Sequence, residues 1–123
     1  MKIAIAADHG GYKLKEEIKP YIESLGHTVT DLGTYSEDSV DYPDYAALCA
    51  RAVVSGEMDR GIVICGTGIG ISIAANKIKG VRCGLCTDPV MARLTREHND
   101  ANMLAMGARI IGGELARGIE KAF

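Results

Sequence analysis

Gly61-Ile62-Val63-Ile64-Cys65 runs without a break into Gly66-Thr67-Gly68-Ile69-Gly70, and this stretch decides the fold. A short apolar run rich in β-branched residues reads as a strand buried on both faces. Three alternating glycines then open onto Ile71-Ser72-Ile73-Ala74-Ala75, which continues as a helix to about Lys79. A buried strand feeding a glycine-rich turn and a helix is half of a βαβ unit.

Upstream the same alternation repeats. Lys2 to Ala7 reads as a buried strand stopped by Asp8-His9-Gly10-Gly11. From Tyr12 to Leu25 the spacing turns helical, placing Leu14, Ile18, Tyr21, Ile22 and Leu25 on one face, with Gly26 closing it. His27 to Leu32 alternates as a second strand. Gly33 to Tyr42 is a polar connection, Pro43 sits at a helix entry, and Asp44 to Ser55 is a helix ended by Gly56.

Downstream, Val81 to Thr87 reads as a fourth strand. Asp88 caps the next helix with Pro89 in its first turn, and that helix runs to about His98. Asn102 to Met106 is a short fifth strand, and Gly113 to Phe123 a last helix. Five strands alternating with five helices predict a single-domain, Rossmann-like three-layer α/β/α fold on a five-stranded parallel sheet. The 123 residues are one domain.

The chain carries 14 Lys and Arg against 16 Asp and Glu, a balance that argues against nucleic-acid binding. A membrane span needs ~20 apolar residues in a row, and no run approaches that. No signal-peptide pattern follows Met1-Lys2, so a cytoplasmic protein is expected, with Cys49, Cys65, Cys83 and Cys86 as free thiols.

Ligands of open parallel sheets bind outside the carboxyl ends of the strands. The chemically unusual residues fall at those ends: Asp8 and His9 after the first strand, Cys65 to Gly70 after the third. Glycines at 66, 68 and 70 leave a bare backbone whose amides can converge on an anion or a developing oxyanion. At the mouth of such a loop the thiolate of a cysteine is favoured. The plain alternative, a small buried hydrophobe beside a tight turn, is weaker beside three spaced glycines.

Two other motifs fail on spacing. A dinucleotide fingerprint needs glycine at position 71, and a cysteine-dependent phosphatase needs arginine there; the residue is Ile71. Cys83 and Cys86 stand three apart on a strand, so their sulfurs point to opposite faces and cannot share a metal. His27 reads as a surface residue. His9 and His98, taken singly, fit a turn and a helix end. Arg109, in an apolar run from Met103 to Ile111, suggests either an anionic partner or a salt bridge.

Taken together, five blocks point further. Asp8-His9-Gly10-Gly11, Gly33-Thr34, Ser39 to Tyr45, Ile64 to Lys77 and Arg96-Glu97-His98-Asn99-Asp100-Ala101-Asn102 follow in register. They closely resemble the type B ribose-5-phosphate isomerases, a family that also holds galactose-6-phosphate isomerase subunits. The resemblance implies a metal-free, cofactor-free aldose–ketose isomerisation of ribose 5-phosphate and ribulose 5-phosphate. It implies Cys65 as the base, and the loop Gly66 to Gly70 with Thr67 as the holder of a cis-enediolate oxygen. His98 would open the furanose ring with Asp8 as counterpart, and Asn99 would bind the reacting oxygens. His9 and Arg109 would serve the phosphate, and Tyr42 would line the sugar. It also implies a homodimer, or a dimer of dimers, with sites shared between subunits. Family chains usually continue some 25 residues further, through a Gly-Gly-Arg-His segment that grips phosphate. The other readings are an isomerase of allose or galactose 6-phosphate, and a non-catalytic sugar-phosphate-binding subunit.

Overall fold

β1 (Lys2–Ala7) lies between β2 (Thr28–Asp31) and β3 (Arg60–Cys65), and β3 in turn lies beside β5 (Met103–Gly107). The outermost strand is β4 (Cys83–Leu85), giving the order β2-β1-β3-β5-β4 with every pair parallel. This computed structural model describes residues 1–123. The five-stranded parallel sheet and its alternating helices agree with the order read from the sequence.

The two faces are divided by the pleat. Ile3, Ile5 and Ala7 of β1, Ile62 and Ile64 of β3, and Leu104 and Met106 of β5 turn to one face. There they meet α1 (Tyr12–Ser24), α4 (Pro89–Asn99) and α5 (Gly113–Ala122) through Leu14, Ile18, Ile22, Ala92, Ala116 and Ile119. Ala4, Ala6, Val63, Cys65, Met103 and Ala105 turn the other way, against α2 (Tyr42–Val54) and α3 (Ile69–Asn76). Burying each isoleucine of β3 contributes about 2–3 kcal/mol. The alanines of β1 let α2 approach closely.

Element ends follow local chemistry. Asp88 caps α4 by accepting from the amide of Met91 at 2.9 Å, with Pro89 in the first turn as expected. Gly26, at φ +93°, follows α1 in the left-handed conformation. Three elements differ from the sequence reading by two residues or more at an end. β4 is only three residues long because it pairs on one side alone, with β5. α2 begins at Tyr42, since Pro43 lies in its first turn rather than before it. α3 stops at Asn76, whose side chain turns to bond Cys83 through both its amide nitrogen and its oxygen.

Cys83 packs against the α2–α3 face and Cys86 is buried on the other, so the pair is separated by the sheet. Burial pushes both thiols up, Cys83 to about 12 and Cys86 to about 11. All four cysteines are free.

The connections position the site. α1 leaves β1 toward β2 on one face, whereas α3 leaves β3 away from β1 on the opposite face. The chain therefore opens a crevice between the carboxyl ends of β1 and β3, the switch point at which such sheets bind ligands.

Candidate active site

Cys65 ends β3 at that switch point. Its Sγ accepts a hydrogen bond from the amide of Gly68 at 3.1 Å. Gly68 holds φ +80°, and a Cβ there would stand 2.6 Å from Leu85 Cδ1 and 2.8 Å from the Met106 carbonyl carbon. Only glycine lets this backbone lie flat on the end of β5 with its amide turned to the sulfur. The amides of Gly66, Thr67 and Gly70 have no acceptor within the chain. Beside the one amide bonded to the sulfur, the loop thus leaves three N–H groups without an acceptor in the chain.

Asp8 stands beside this loop. Its carboxylate is buried and accepts from the amide of Gly11 at 3.1 Å. A Cβ on Gly10 would lie 3.3 Å from both Asp8 Oδ1 and the Gly66 amide nitrogen, so carboxylate and loop flank one glycine. Gly11 abuts the carbonyl of Ile64, within 2.4 Å of where a Cβ would sit, which joins the β1 turn to the end of β3.

The rim is built from three more residues. His9 Nδ1 accepts from the amide of Val40 at 3.1 Å, which leaves Nε2 as the ring's donor. Arg109 is exposed, forms no ion pair, and lies over Gly66, its Nη1 3.2 Å from a Cβ built there. Of the two readings of Arg109, the salt bridge is not the one taken. The ring of Tyr42 covers Gly70, whose Cβ would meet its Cζ at 2.7 Å. Thr67 is exposed on the loop, its Oγ1 accepting from the Ile69 amide at 3.2 Å.

His98 and Asn99 are not part of this cluster within one chain. They close α4, which runs antiparallel to the strands back to the amino-terminal side of the sheet. There Asn102 accepts at its carbonyl from Gly61, at the opposite end of β3 from Cys65. Four steps along the strand separate Gly61 from Cys65, about 13 Å. Asn99 instead lines surface clefts beside β4. The chain thus places the residues singled out in the sequence in two groups at opposite ends of the sheet: Cys65, Asp8, His9, Thr67, Tyr42 and Arg109 at one, His98 and Asn99 at the other.

His27 is less solitary than its sequence context suggested, since the N-terminal ammonium lies 3.2 Å from its Nδ1.

A family model described as Ribose/Galactose Isomerase matches residues 3–123. The chain belongs to the ribose/galactose isomerase family. A putative sugar phosphate isomerase, YwlF, of Bacillus subtilis (strain 168) is 58% identical over 122 residues, covering 98% of this chain and 82% of the relative. Ribose-5-phosphate isomerase B of Escherichia coli (strain K12) is 52% identical, covering 99% and 82%. Among solved structures, ribose-5-phosphate isomerase B of Clostridium thermocellum superposes with a TM-score of 0.98 at 57% identity, over 99% of this chain and 82% of that one. The chain is an isomerase of this family.

Proposed function

We infer that this family member interconverts ribose 5-phosphate and ribulose 5-phosphate by proton transfer between C2 and C1. The observation that carries the reading is the Gly68 amide bonded to Cys65 Sγ, with the neighbouring amides of Gly66, Thr67 and Gly70 unfilled. The thiolate of Cys65 takes the C2 proton of the open-chain aldose. The electron pair left behind forms the C1–C2 double bond, and the carbonyl electrons move onto O1 as a cis-enediolate. The loop amides stabilise that charge, each donor being worth about 3–4 kcal/mol at the transition state. Transfer of the O2 proton to O1, and return of the thiol proton to C1, gives the ketose with atoms and charge balanced.

Ring opening comes first. It needs an acid at the ring oxygen and a base at the anomeric hydroxyl. Asp8, buried beside Gly66, supplies the base. His98 supplies the acid and Asn99 holds the reacting oxygens, both from a second copy whose α4 end faces this loop. The protein is accordingly a homodimer, or a dimer of dimers, with shared sites. The Nε2–H of His9 and the unpaired guanidinium of Arg109 hold the phosphate, and Tyr42 borders the sugar.

Ketose formation from ribose 5-phosphate tests the reading, assayed beside allose 6-phosphate and galactose 6-phosphate on wild type and Cys65→Ala. Turnover of ribose 5-phosphate lost ~10³-fold in the variant supports it, in the range of a removed general base. Preference for a six-carbon substrate moves the assignment to another sugar phosphate, and calorimetric binding without turnover makes the chain a binding subunit.

A further inference from the structure

Far from the Cys65 loop, a cavity of about 180 Å³ opens where the starts of β1 and β3 meet the end of α5. Its walls include Ile3, Leu25, Ile62 and Phe123. Glu120 lines it too, and is only 6% exposed. Oε2 of Glu120 is the one buried side-chain oxygen or nitrogen in the chain without a hydrogen-bond partner. A buried polar atom left unpaired costs ~1–3 kcal/mol, so such an atom calls for an explanation.

The neighbouring cations do not supply one. Arg60 Nη1 donates to the Phe123 carbonyl at 2.7 Å, and its guanidinium lies 5.6 Å from the Phe123 ring centroid. No ion pair joins Glu120 to Arg60 or Lys121, and the N-terminal ammonium is turned to His27. The site thus offers apolar walls and one unfilled acceptor, under a fringe of positive charge that disfavours a cationic guest. An apolar cavity of ~150 Å³ holds benzene, which sets the scale.

We propose that this cavity binds a neutral, ring-sized apolar molecule carrying one hydroxyl, which donates to Oε2 of Glu120 while the ring packs between Ile3, Ile62 and Phe123. Burial of Glu120 without a charged partner pushes its carboxyl up to about 7, which agrees with a carboxyl seated among apolar groups.

Phenol, benzene and benzylamine are the probes, titrated into the intact chain while the methyl resonances of Ile3, Leu25 and Ile62 are followed by NMR. Phenol should shift these three methyls and leave Ile71, on the other face of the sheet, in place. It should bind ~10-fold tighter than benzene, the yield of one hydrogen bond, and tighter than benzylamine. Glu120→Leu should remove the advantage of phenol over benzene. Leu25→Trp, at a position on the cavity wall that is 37% exposed and so tolerant of change, should block entry to all three. The proposal is overturned by absent methyl shifts with phenol, by benzene or benzylamine binding as tightly as phenol, or by a Glu120→Leu variant that keeps the preference.

Discussion

Lys15 Nζ lies 2.7 Å from Oδ1 and 2.6 Å from Oδ2 of Asp31, with the lysine wholly removed from solvent. The ammonium also sits 5.4 Å and 5.3 Å from the ring centroids of Tyr12 and Tyr35. Asp31 ends β2, and its Oδ1 accepts from the Gly33 amide at 2.9 Å. Gly33 in turn accepts at its carbonyl from Ala7, the residue before Asp8. A buried ion pair therefore anchors the segment beneath the candidate base for ring opening.

Lys15→Met keeps the volume and removes the charge, leaving Asp31 with Lys19 alone. Breaking a buried pair in this way costs about 3 kcal/mol, measurable as a lower urea midpoint. Burial opposes ionisation of Asp31, but hydrogen bonds from Lys15, Lys19 and the Gly33 amide outweigh it and hold the carboxyl below its usual range. A carboxyl depressed in the folded state contributes stability above its ordinary value of 3.8, lost as pH falls through the folded value. The wild type should therefore show a steeper acid limb than Lys15→Met. Equal midpoints and equal limbs would mean that the pair contributes nothing.

Gly68→Ala places a methyl 2.6 Å from Leu85 Cδ1 on a backbone at φ +80°. The loop must move, and the amide leaves the Cys65 sulfur. Isomerase activity should fall by ~100-fold or more, with a loss of ~1–3 kcal/mol in stability. Crystals of the variant with an unmoved loop, or kinetics like wild type, would count against the loop as the oxyanion holder.

Most of the layer plan was legible because β1 and β3 are short β-branched or alanine-rich runs cut off by glycines, and because Asp88-Pro89 marks a helix start. The loop Cys65 to Gly70 was legible because a cysteine and three spaced glycines follow directly on a buried strand. The strand order was not. Nothing in Asn102 to Met106 says that this strand enters between β3 and β4, since local pattern does not encode its neighbour. The burial of Lys15 was hidden by its charge, although it stands three and seven residues before Ile18 and Ile22 on the buried face. Leu25, assigned to that face, is instead 37% exposed on the wall of the Glu120 cavity, where α1 has already ended.

Glu120 gives a pH dependence opposite in sign to that of Asp31. Its folded value is raised by burial to about 7 from an ordinary 4.5, so the folded state binds the proton more tightly than the unfolded chain. That contribution is complete below pH 4.5 and is lost as pH rises toward 7. Arg60, Lys121, His27 and Met1 with its N-terminal ammonium face the same region. Glu120→Gln should flatten the decline in thermal stability between pH 4.5 and 7, whereas His27→Gln should leave most of it. An unchanged slope in Glu120→Gln would assign the decline elsewhere.

The separation of Cys65 from His98 along β3 makes the shared site testable without a crystal. If each site takes its sulfur from one copy and its imidazole from another, Cys65→Ala and His98→Asn are each inactive but complement when mixed. Random exchange between two such homodimers gives half heterodimers, each with one intact site of two, so activity should return to about one quarter of wild type. The recovery should follow subunit exchange in time and vanish when exchange is blocked by cross-linking before mixing. A double variant carrying both changes in one chain should rescue nothing when mixed with either single variant. Two inactive variants that stay inactive after verified exchange would mean that the imidazole and the sulfur do not meet across subunits, and the acid for ring opening would then have to come from another group at the loop, such as His9.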